Sequence, residues 1–215
     1  MKYIIGLLLV SIQFSCQSQE KKSTFATIKE PIQMNVENGM EVATLAGGCF
    51  WCTEAIFLEL KGVSKVVSGY IGGTTTNPTY KDICTGTTGH AEAIQITFDP
   101  NVVSFGELLE IFFATHDPTT LNRQGNDVGT QYRSEVFYYS DAQKKLTEDY
   151  IALMTKEKTF SNPIVTRISP ASVFYVAEEY HQNYYNYNKT QSYCSYVITP
   201  KVEKLRKNYK DKLKN

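Results

Sequence analysis

The stretch that decides the fold of this chain is Gly47-Gly48-Cys49-Phe50-Trp51-Cys52-Thr53-Glu54. A short β-like run at residues 42–46 precedes it, and apolar residues recur with helical spacing from there to residue 60. This order predicts a glycine turn with Cys49 at a helix N-terminus, where unpaired N–H groups and the helix dipole favour the nucleophilic thiolate. Cys52 lies one helical turn further, close enough to trap an oxidised Cys49. The pattern indicates redox thiol chemistry.

Composition favours one globular domain. The chain has 215 residues, of which 42% are hydrophobic and 20% charged, and this is enough to bury a real core. Lys+Arg and Asp+Glu both number 22, so no net charge argues for nucleic acid or another strongly charged partner. The 5 cysteines do not suit a closed disulfide scaffold, which a chain of this length does not need. One cysteine is therefore expected to serve elsewhere.

The N-terminus resembles a bacterial lipoprotein signal. Lys2 is followed by a short apolar run, and the run ends at Phe14-Ser15-Cys16 without an Ala-x-Ala cleavage site. In such a signal Cys16 becomes the lipidated first residue, whereas the alternatives are an ordinary signal peptide or an uncleaved anchor. We expect a signal peptide at 1–15, a polar tether at 16–41 and a catalytic domain at 42–215. The protein would then be exported and held by lipid at the periplasmic or extracytoplasmic face of a membrane.

The rest of the chain alternates strand and helix patterns without regular βαβ units. Strands are predicted at 42–46, 63–69, 91–98, 134–139 and 164–168, and helices at 51–60, 105–114, 141–158, 177–187 and 201–214. Ser104 and Glu107 form a predicted capping box, and Asp141 is a predicted cap. The fold class expected is α+β, with a mixed sheet and flanking helices. Two long polar segments, 74–89 and 116–133, are expected to wall the site around Cys49, because loops of this length are usually functional.

Four motifs in a fixed order carry a family resemblance. They are Gly48-Cys49-Phe50-Trp51, Thr88-Gly89-His90-Ala91-Glu92, His116-Asp117-Pro118-Thr119-Thr120 and Asn126-Asp127-Val128-Gly129-Thr130-Gln131-Tyr132-Arg133-Ser134. With them the chain resembles peptide methionine sulfoxide reductase of the A type over roughly residues 42–207. The resemblance implies a two-layer α+β sandwich with a ferredoxin-like core. It also implies reduction of the S-epimer of methionine sulfoxide, free or in oxidatively damaged proteins, without a bound cofactor and commonly with thioredoxin as electron donor. We expect a monomer.

The resemblance also assigns roles to the reacting groups. Cys49 matches the nucleophile that attacks the sulfoxide sulfur and becomes a sulfenic acid. Glu92 matches the acid, and it must have a pKa raised by apolar surroundings if it is to be protonated near neutral pH. Tyr80 and Tyr132 match hydroxyl donors to the sulfoxide oxygen.

Three further residues match the substrate pocket. Phe50 and Trp51 resemble the family's cradle for the S-methyl group, since sulfur and methyl groups pack well against aromatic rings. Asp127 matches a residue that organises the site through hydrogen bonds. His90 and His181 are candidates for a supporting role, but a purely structural role is favoured for each.

The resolving thiol stays open between two cysteines. Cys52 stands where many family members have a small residue, and it can condense with sulfenic Cys49 without large motion. Cys194 matches a C-terminal recycling cysteine, expected in a mobile and accessible segment. Both can act in sequence, and we favour Cys52 first. Cys84 is expected to be a spectator.

Two other classes compete with this interpretation. Cys49-x-x-Cys52 alone is also typical of a thioredoxin-like dithiol oxidoreductase, and cysteines with scattered histidines occur in zinc-binding modules. A zinc site needs about four ligands in recognisable pairs, which this chain does not show in sequence. Neither alternative accounts for the other three motifs. No metal, flavin or nucleotide site is expected.

Overall fold

The computed structural model of the protein describes residues 39–214. The predicted signal peptide, the lipidation site Cys16 and all but the end of the predicted tether lie outside the described residues. The first strand begins at Glu41, one residue before the predicted start of the domain.

The centre of the domain is a mixed sheet of 6 strands in the order β7-β6-β1-β3-β2-β8. All neighbouring strands are antiparallel except β6 and β7, which are parallel. Two short strands, β4 and β5, form a separate hairpin. The strands are β1 Glu41–Gly47, β2 Val63–Ile71, β3 Ala91–Phe98, β4 Arg123–Gln124, β5 Asp127–Val128, β6 Ser134–Tyr138, β7 Arg167–Pro170 and β8 Tyr175–Val176.

Helices complete the fold. They are α1 Phe50–Phe57, α2 Tyr80–Cys84, α3 Phe105–Thr115, α4 Asp141–Lys156, α5 Tyr184–Tyr187 and α6 Thr199–Asn208, with short 3-10 turns at Thr130–Tyr132, Glu179–His181 and Lys210–Lys212 and a π-helical turn at Cys194–Ile198. The capping box of Ser104 and Glu107 at the start of α3 is confirmed, with both reciprocal hydrogen bonds formed.

Several predicted boundaries are wrong. Ser140, not Asp141, caps α4, because the Ser140 hydroxyl accepts the backbone N–H of Gln143. The strand predicted at 164–168 lies at Arg167–Pro170. The helix predicted at 177–187 is interrupted, since Asn183 adopts a left-handed backbone with φ 51°. The tail helix begins earlier and ends at Asn208, and the 74–89 loop contains α2.

Alternation along the strands separates two apolar clusters on opposite faces of the sheet. The larger cluster joins α1, α3 and α6 to one face and includes Ile56, Phe112 and Ile94. The smaller cluster, around Phe137 and Phe174, fills the other face without a helix of its own. The predicted α+β sandwich with a mixed sheet is therefore confirmed. The sequence of elements β1-α1-β2-β3-α3-β6 is the order expected of a ferredoxin-like core, and that finer description stays a prediction.

The turn between β1 and α1 places Cys49 just after the C-terminal end of β1, an inner strand of the sheet. Gly48 has φ 94°, and a Cβ on it would lie 2.6 Å from two side-chain carbons of Gln124. Both the left-handed backbone and this close approach require glycine. Because β3 runs beside β1, its first residues lie next to the same turn, which brings Glu92 towards Cys49.

Candidate active site

Cys49 is the N-cap residue of α1 and is buried, as is Cys52 one turn later. Burial raises the pKa of Cys49 well above its ordinary value, and the neighbouring Cys52 raises it further. The hydrogen bond from the Cys49 thiol, helped by the charge of Lys201, lowers the pKa of Cys52 to about 7. The two thiols therefore titrate as a pair. Burial therefore opposes the thiolate that the sequence predicts at Cys49, while the Cys49 thiol favours ionisation of Cys52.

Glu92 is the second residue of β3 and is 1% exposed. Its Oε2 accepts the backbone N–H of Phe50, the first residue of α1, at 3.1 Å. Burial raises the pKa of Glu92 to about 8, although the Phe50 N–H opposes the shift, and the charges of Asp127 and Cys52 raise it further. A carboxyl that is mostly protonated at neutral pH stands beside the nucleophile's helix and can act as a general acid.

Aromatic rings cluster around His181, next to the start of α1. The Phe50 ring lies 6.3 Å from that of Trp51 and 5.1 Å from that of His181, and the Tyr80 ring lies 4.4 Å from His181, all between centroids. Burial raises the pKa values of Tyr80 and Tyr132, and the Glu92 charge raises both further. Both phenols therefore keep their protons and can donate hydrogen bonds.

His181 contributes more than its sequence position indicated. It is 1% exposed, and its Nδ1 accepts the indole N–H of Trp51 at 3.1 Å. His181 thus fixes one edge of the Trp51 ring. The sequence left a supporting role open for His181 and favoured a purely structural one.

Asp127 lies on β5 and takes part in a hydrogen-bonded chain that ends at the thiols. Its Oδ2 accepts the hydroxyl proton of Tyr193 at 2.7 Å, and that hydroxyl lies 3.6 Å from Cys52 Sγ. Sequence reasoning missed Tyr193, although it directly precedes Cys194. The signal that could have found it is its place between the C-terminal thiol and a polar run.

Cys194 is fully buried at the start of the π-helical turn, in the same apolar cluster as Ile198 and Val202. The sequence had predicted an accessible thiol. Burial raises the pKa of Cys194, and the Cys52 charge raises it further, so the two thiols are electrostatic neighbours. Cys84 is exposed at the end of α2, where its thiol interacts with the Tyr80 hydroxyl.

Two other histidines support the loops from outside the reacting groups. His90 Nδ1 accepts the backbone N–H of Gly73 at 3.0 Å, so Nε2 carries the proton and donates to the carbonyl of Thr75 at 2.8 Å. These bonds close the loop that carries Tyr80. His116 bridges the Phe112 carbonyl and the Ser134 hydroxyl, and burial lowers its pKa to about 4.

Within residues 39–214, no group of three or more His, Cys, Asp or Glu side chains is arranged to hold a metal ion. No helix in the same described region is long and apolar enough to cross a membrane. A surface cavity of ≈ 830 Å³ lies between α3, α4 and α6, and none of the cysteines lines it. The reacting groups described above therefore lie outside this cavity, at the β1–α1 turn.

A thiol pair at a helix N-terminus, beside a protonated buried carboxyl and two phenols, defines a cysteine-dependent reductase. The comparison with known proteins specifies the class. The chain belongs to the peptide methionine sulfoxide reductase family, whose sequence pattern matches residues 41–213. Thiol-dependent reduction of methionine sulfoxide, which repairs oxidised proteins, is the activity that follows.

The relatives are similar over almost the whole domain. A peptide methionine sulfoxide reductase MsrA of Deinococcus radiodurans is 60% identical over 174 residues, covering 81% of this chain and 84% of the relative. A peptide methionine sulfoxide reductase MsrA of Saccharolobus solfataricus is 56% identical over 175 residues, covering 81% of this chain and 98% of the relative.

Solved structures agree with the fold. Reduced Mxr1 of Saccharomyces cerevisiae superposes with a TM-score of 0.67 at 37% identity, covering 73% of this chain and 90% of the other. Methionine sulfoxide reductase A of Corynebacterium diphtheriae superposes with a TM-score of 0.64 at 34% identity, covering 74% of this chain and 79% of the other.

The burial of Glu92 predicts opposite effects of Glu92→Gln on stability and on activity. The pKa of Glu92 in the folded state is raised above its ordinary value. The contribution of protonated Glu92 to folding stability is therefore fully present at pH 4 and is lost as pH rises through about 8. Glutamine keeps an acceptor for the Phe50 N–H but carries no charge. We expect the variant to melt at least about 2–4 °C above wild type at pH 8.5, with a smaller difference at pH 5. Sulfoxide reduction should fall by about 10²–10⁴-fold.

Glu59→Gln is the matched control, because Glu59 pairs with Arg206 at the surface, far from the thiols. It should not reproduce the pH-dependent gain. A melting-temperature difference for Glu92→Gln that is constant between pH 5 and pH 8.5 would contradict the assignment.

Proposed function

We propose that the protein reduces the S-epimer of methionine sulfoxide, free or within oxidised proteins, with Cys49 as nucleophile and Glu92 as general acid. The observation that carries this proposal is the Phe50 N–H to Glu92 hydrogen bond. It holds a largely protonated carboxyl at the N-terminus of the helix that begins after Cys49. A sulfoxide needs both groups, because its oxygen is a poor leaving group until it is protonated.

The thiol pair supplies the nucleophile. The pKa of Cys52 is lowered by its hydrogen bond with Cys49, so Cys52 is the thiol that ionises more readily before substrate binds. Transfer of the Cys49 proton to Cys52 generates the Cys49 thiolate as it attacks the sulfoxide sulfur. Glu92 gives its proton to the sulfoxide oxygen. The Cys49 sulfur bonds to the sulfoxide sulfur, the S–O bond breaks, and the oxygen, protonated by Glu92, is transferred to Cys49 Sγ. The bond between Cys49 and the substrate sulfur breaks in the same transfer, so methionine leaves with that electron pair and Cys49 becomes a sulfenic acid.

The aromatic cluster recognises the sulfoxide. The phenol groups of Tyr80 and Tyr132 stay protonated and are placed by the two long loops near the Glu92 carboxyl. They would donate to the sulfoxide oxygen, while Phe50 and Trp51 would receive the methyl group. Donors on one side and an apolar surface on the other distinguish the two epimers at sulfur.

Recycling begins at Cys52. Its thiol attacks the sulfur of sulfenic Cys49, water leaves, and a Cys49–Cys52 disulfide forms. Cys52 is already hydrogen-bonded to Cys49, so this step needs little motion. Cys194 can then attack Cys52, which frees Cys49 and leaves a Cys52–Cys194 disulfide. A dithiol protein of the thioredoxin type, suggested by the family resemblance, would reduce the final disulfide.

The location of the enzyme follows from the N-terminal sequence. We propose export and lipidation at Cys16, with residues 17–41 as the tether, the lipid as its attachment to a membrane, and a monomeric catalytic domain. The support is the short apolar run, the absent Ala-x-Ala site and the polar segment after Cys16. An exported enzyme would require a reductant on the same side of the membrane.

Activity with resolved epimers tests the chemical assignment. Wild-type protein with dithiothreitol should consume the S-sulfoxide of N-acetylmethionine and leave the R-epimer, as read by chiral chromatography. Cys49→Ser should consume neither, because an alcohol cannot form the sulfenic intermediate. Cys84→Ser should retain activity and serves as the control thiol. Equal loss of both epimers, or turnover by Cys49→Ser, would refute the mechanism.

A time-resolved disulfide map tests the recycling order. One equivalent of S-sulfoxide without reductant should give Cys49–Cys52 first, because the thiols are already in contact, and Cys52–Cys194 later. In Cys194→Ser the first disulfide should form at the wild-type rate, while turnover with a thioredoxin falls. Formation of Cys49–Cys194 at full rate with Cys52 still free would reverse the assignment.

The lipoprotein assignment can be tested by expressing the protein in a bacterium that processes lipoproteins and measuring its intact mass. We expect a mature protein that begins at an acylated Cys16, and Cys16→Ala should abolish acylation and membrane association. A mature N-terminus at any other residue would refute the lipoprotein assignment. The activity of the released domain should be unchanged.

A further inference from the structure

Glu54 lies on α1, one turn after Trp51, and the proposed reaction gives this buried carboxyl no role. It is 1% exposed. Its Oε1 accepts the backbone N–H of Asn183 at 2.8 Å, and its Oε2 accepts that of Tyr184 at 3.2 Å. Burial raises the pKa of Glu54 to about 6, so the carboxylate remains largely ionised at neutral pH.

These two N–H groups belong to the start of α5. Asn183 is its N-cap residue and makes no side-chain cap hydrogen bond. The first N–H groups of a helix need acceptors from outside the helix. Glu54 provides them from α1, and it thereby fixes a segment that comes about 130 residues later in the chain.

The same segment holds the ring of Trp51. The Tyr184 ring stacks on Trp51 with 3.8 Å between centroids and 8° between planes. His181, two residues before Asn183, accepts the indole N–H. Since Trp51 and Glu54 are three residues apart, they project from neighbouring turns of α1 towards one short segment. Glu54 sets where the Tyr184 backbone lies, and the Tyr184 ring sets the plane of Trp51.

We propose that Glu54 is a positioning residue for the methyl pocket: its carboxylate docks the Asn183–Tyr184 backbone so that Tyr184 orients Trp51 for a sulfoxide bearing a methyl group. Glu54 does not touch the substrate. It acts on the shape of the pocket wall, so it controls substrate binding and alkyl-size selectivity rather than the proton transfer. This assignment rests on the proposed function.

The test compares Glu54→Gln with Tyr184→Leu. Glutamine keeps the size of Glu54 but has one acceptor oxygen, and its NH2 group faces an N–H that needs an acceptor. Leucine removes the stacked ring and leaves Glu54 and both N–H groups in place. Glu59→Gln serves as the surface control. Trp51 is the only tryptophan in the chain, so tryptophan fluorescence reports directly on the surroundings of the Trp51 ring.

We expect both variants to shift the Trp51 emission spectrum and to raise KM for the methyl sulfoxide by about tenfold. Glu54→Gln loses one charge-assisted hydrogen bond, and Tyr184→Leu loses the stacked ring. The single-turnover rate at saturating substrate should stay within about twofold of wild type. The preference for methionine S-sulfoxide over ethionine S-sulfoxide in kcat/KM should fall by the same factor in both variants. The double variant should show no further loss, because both residues act through Trp51.

Wild-type emission with an unchanged methyl preference in Glu54→Gln would overturn the proposal. So would equal losses on methyl and ethyl substrates, which indicate a general loss of folded protein. If Glu54→Gln does not fold, Tyr184→Leu decides the question. An unchanged preference for the methyl substrate in Tyr184→Leu would show that Tyr184 does not orient Trp51 for that substrate, and this would overturn the proposal. Fluorescence is measured without substrate. A wild-type protein that reduces no sulfoxide would therefore refute the proposed function while leaving the Glu54 contact to be judged by emission alone.

Discussion

The hydrogen bond from the Phe50 N–H to Glu92 is the contact on which the site depends. It joins the start of α1 to the start of β3, the two elements that carry the nucleophile and the acid. The helix N-terminus has an unsatisfied donor, and the buried carboxyl needs one. Because each meets the need of the other, Cys49 and Glu92 keep a fixed relation before any substrate arrives.

Three carboxyl groups serve the site, and the two that are buried, Glu92 and Glu54, are maintained at some cost in stability. Glu92 is held largely protonated by burial, whereas Glu54 is held largely ionised by two backbone donors. Asp127 accepts a hydrogen bond from Tyr193. The three carboxyl groups therefore have different roles. Glu92 carries a proton, Glu54 binds the backbone of the Asn183–Tyr184 segment, and Asp127 orients the Tyr193 hydroxyl. Their different surroundings, not their chemical type, separate the roles. A fold selected only for stability would replace such groups with apolar ones.

The sequence predicted what depends on local pattern. The alternation in β3, the capping box at Ser104 and the glycine turn before Cys49 each involve neighbours in the chain. The groups that were missed depend on long-range contacts. Tyr193 reaches Asp127 across 66 residues, and His181 reaches Trp51 across 130. The helix predicted at 177–187 fails for the same reason, since its break at Asn183 is stabilised by Glu54 on another helix. The resemblance supplied Glu92, Tyr80 and Tyr132, which no local pattern marks as chemical.

The resting thiol charge also escaped prediction, and it links the reaction to recycling. A helix N-terminus favours a thiolate, but burial raises the pKa of Cys49, and the Cys49 thiol lowers the pKa of Cys52. Cys52 lies beside the Tyr193 hydroxyl and near Cys194. A Cys49–Cys52 disulfide has no thiolate charge. Oxidation therefore removes the charge at Cys52 whose repulsion raises the pKa of Cys194. The chemical step thus changes the surroundings of the buried third thiol in the direction that favours its attack, while Glu54 keeps the Trp51 wall in place for the next substrate.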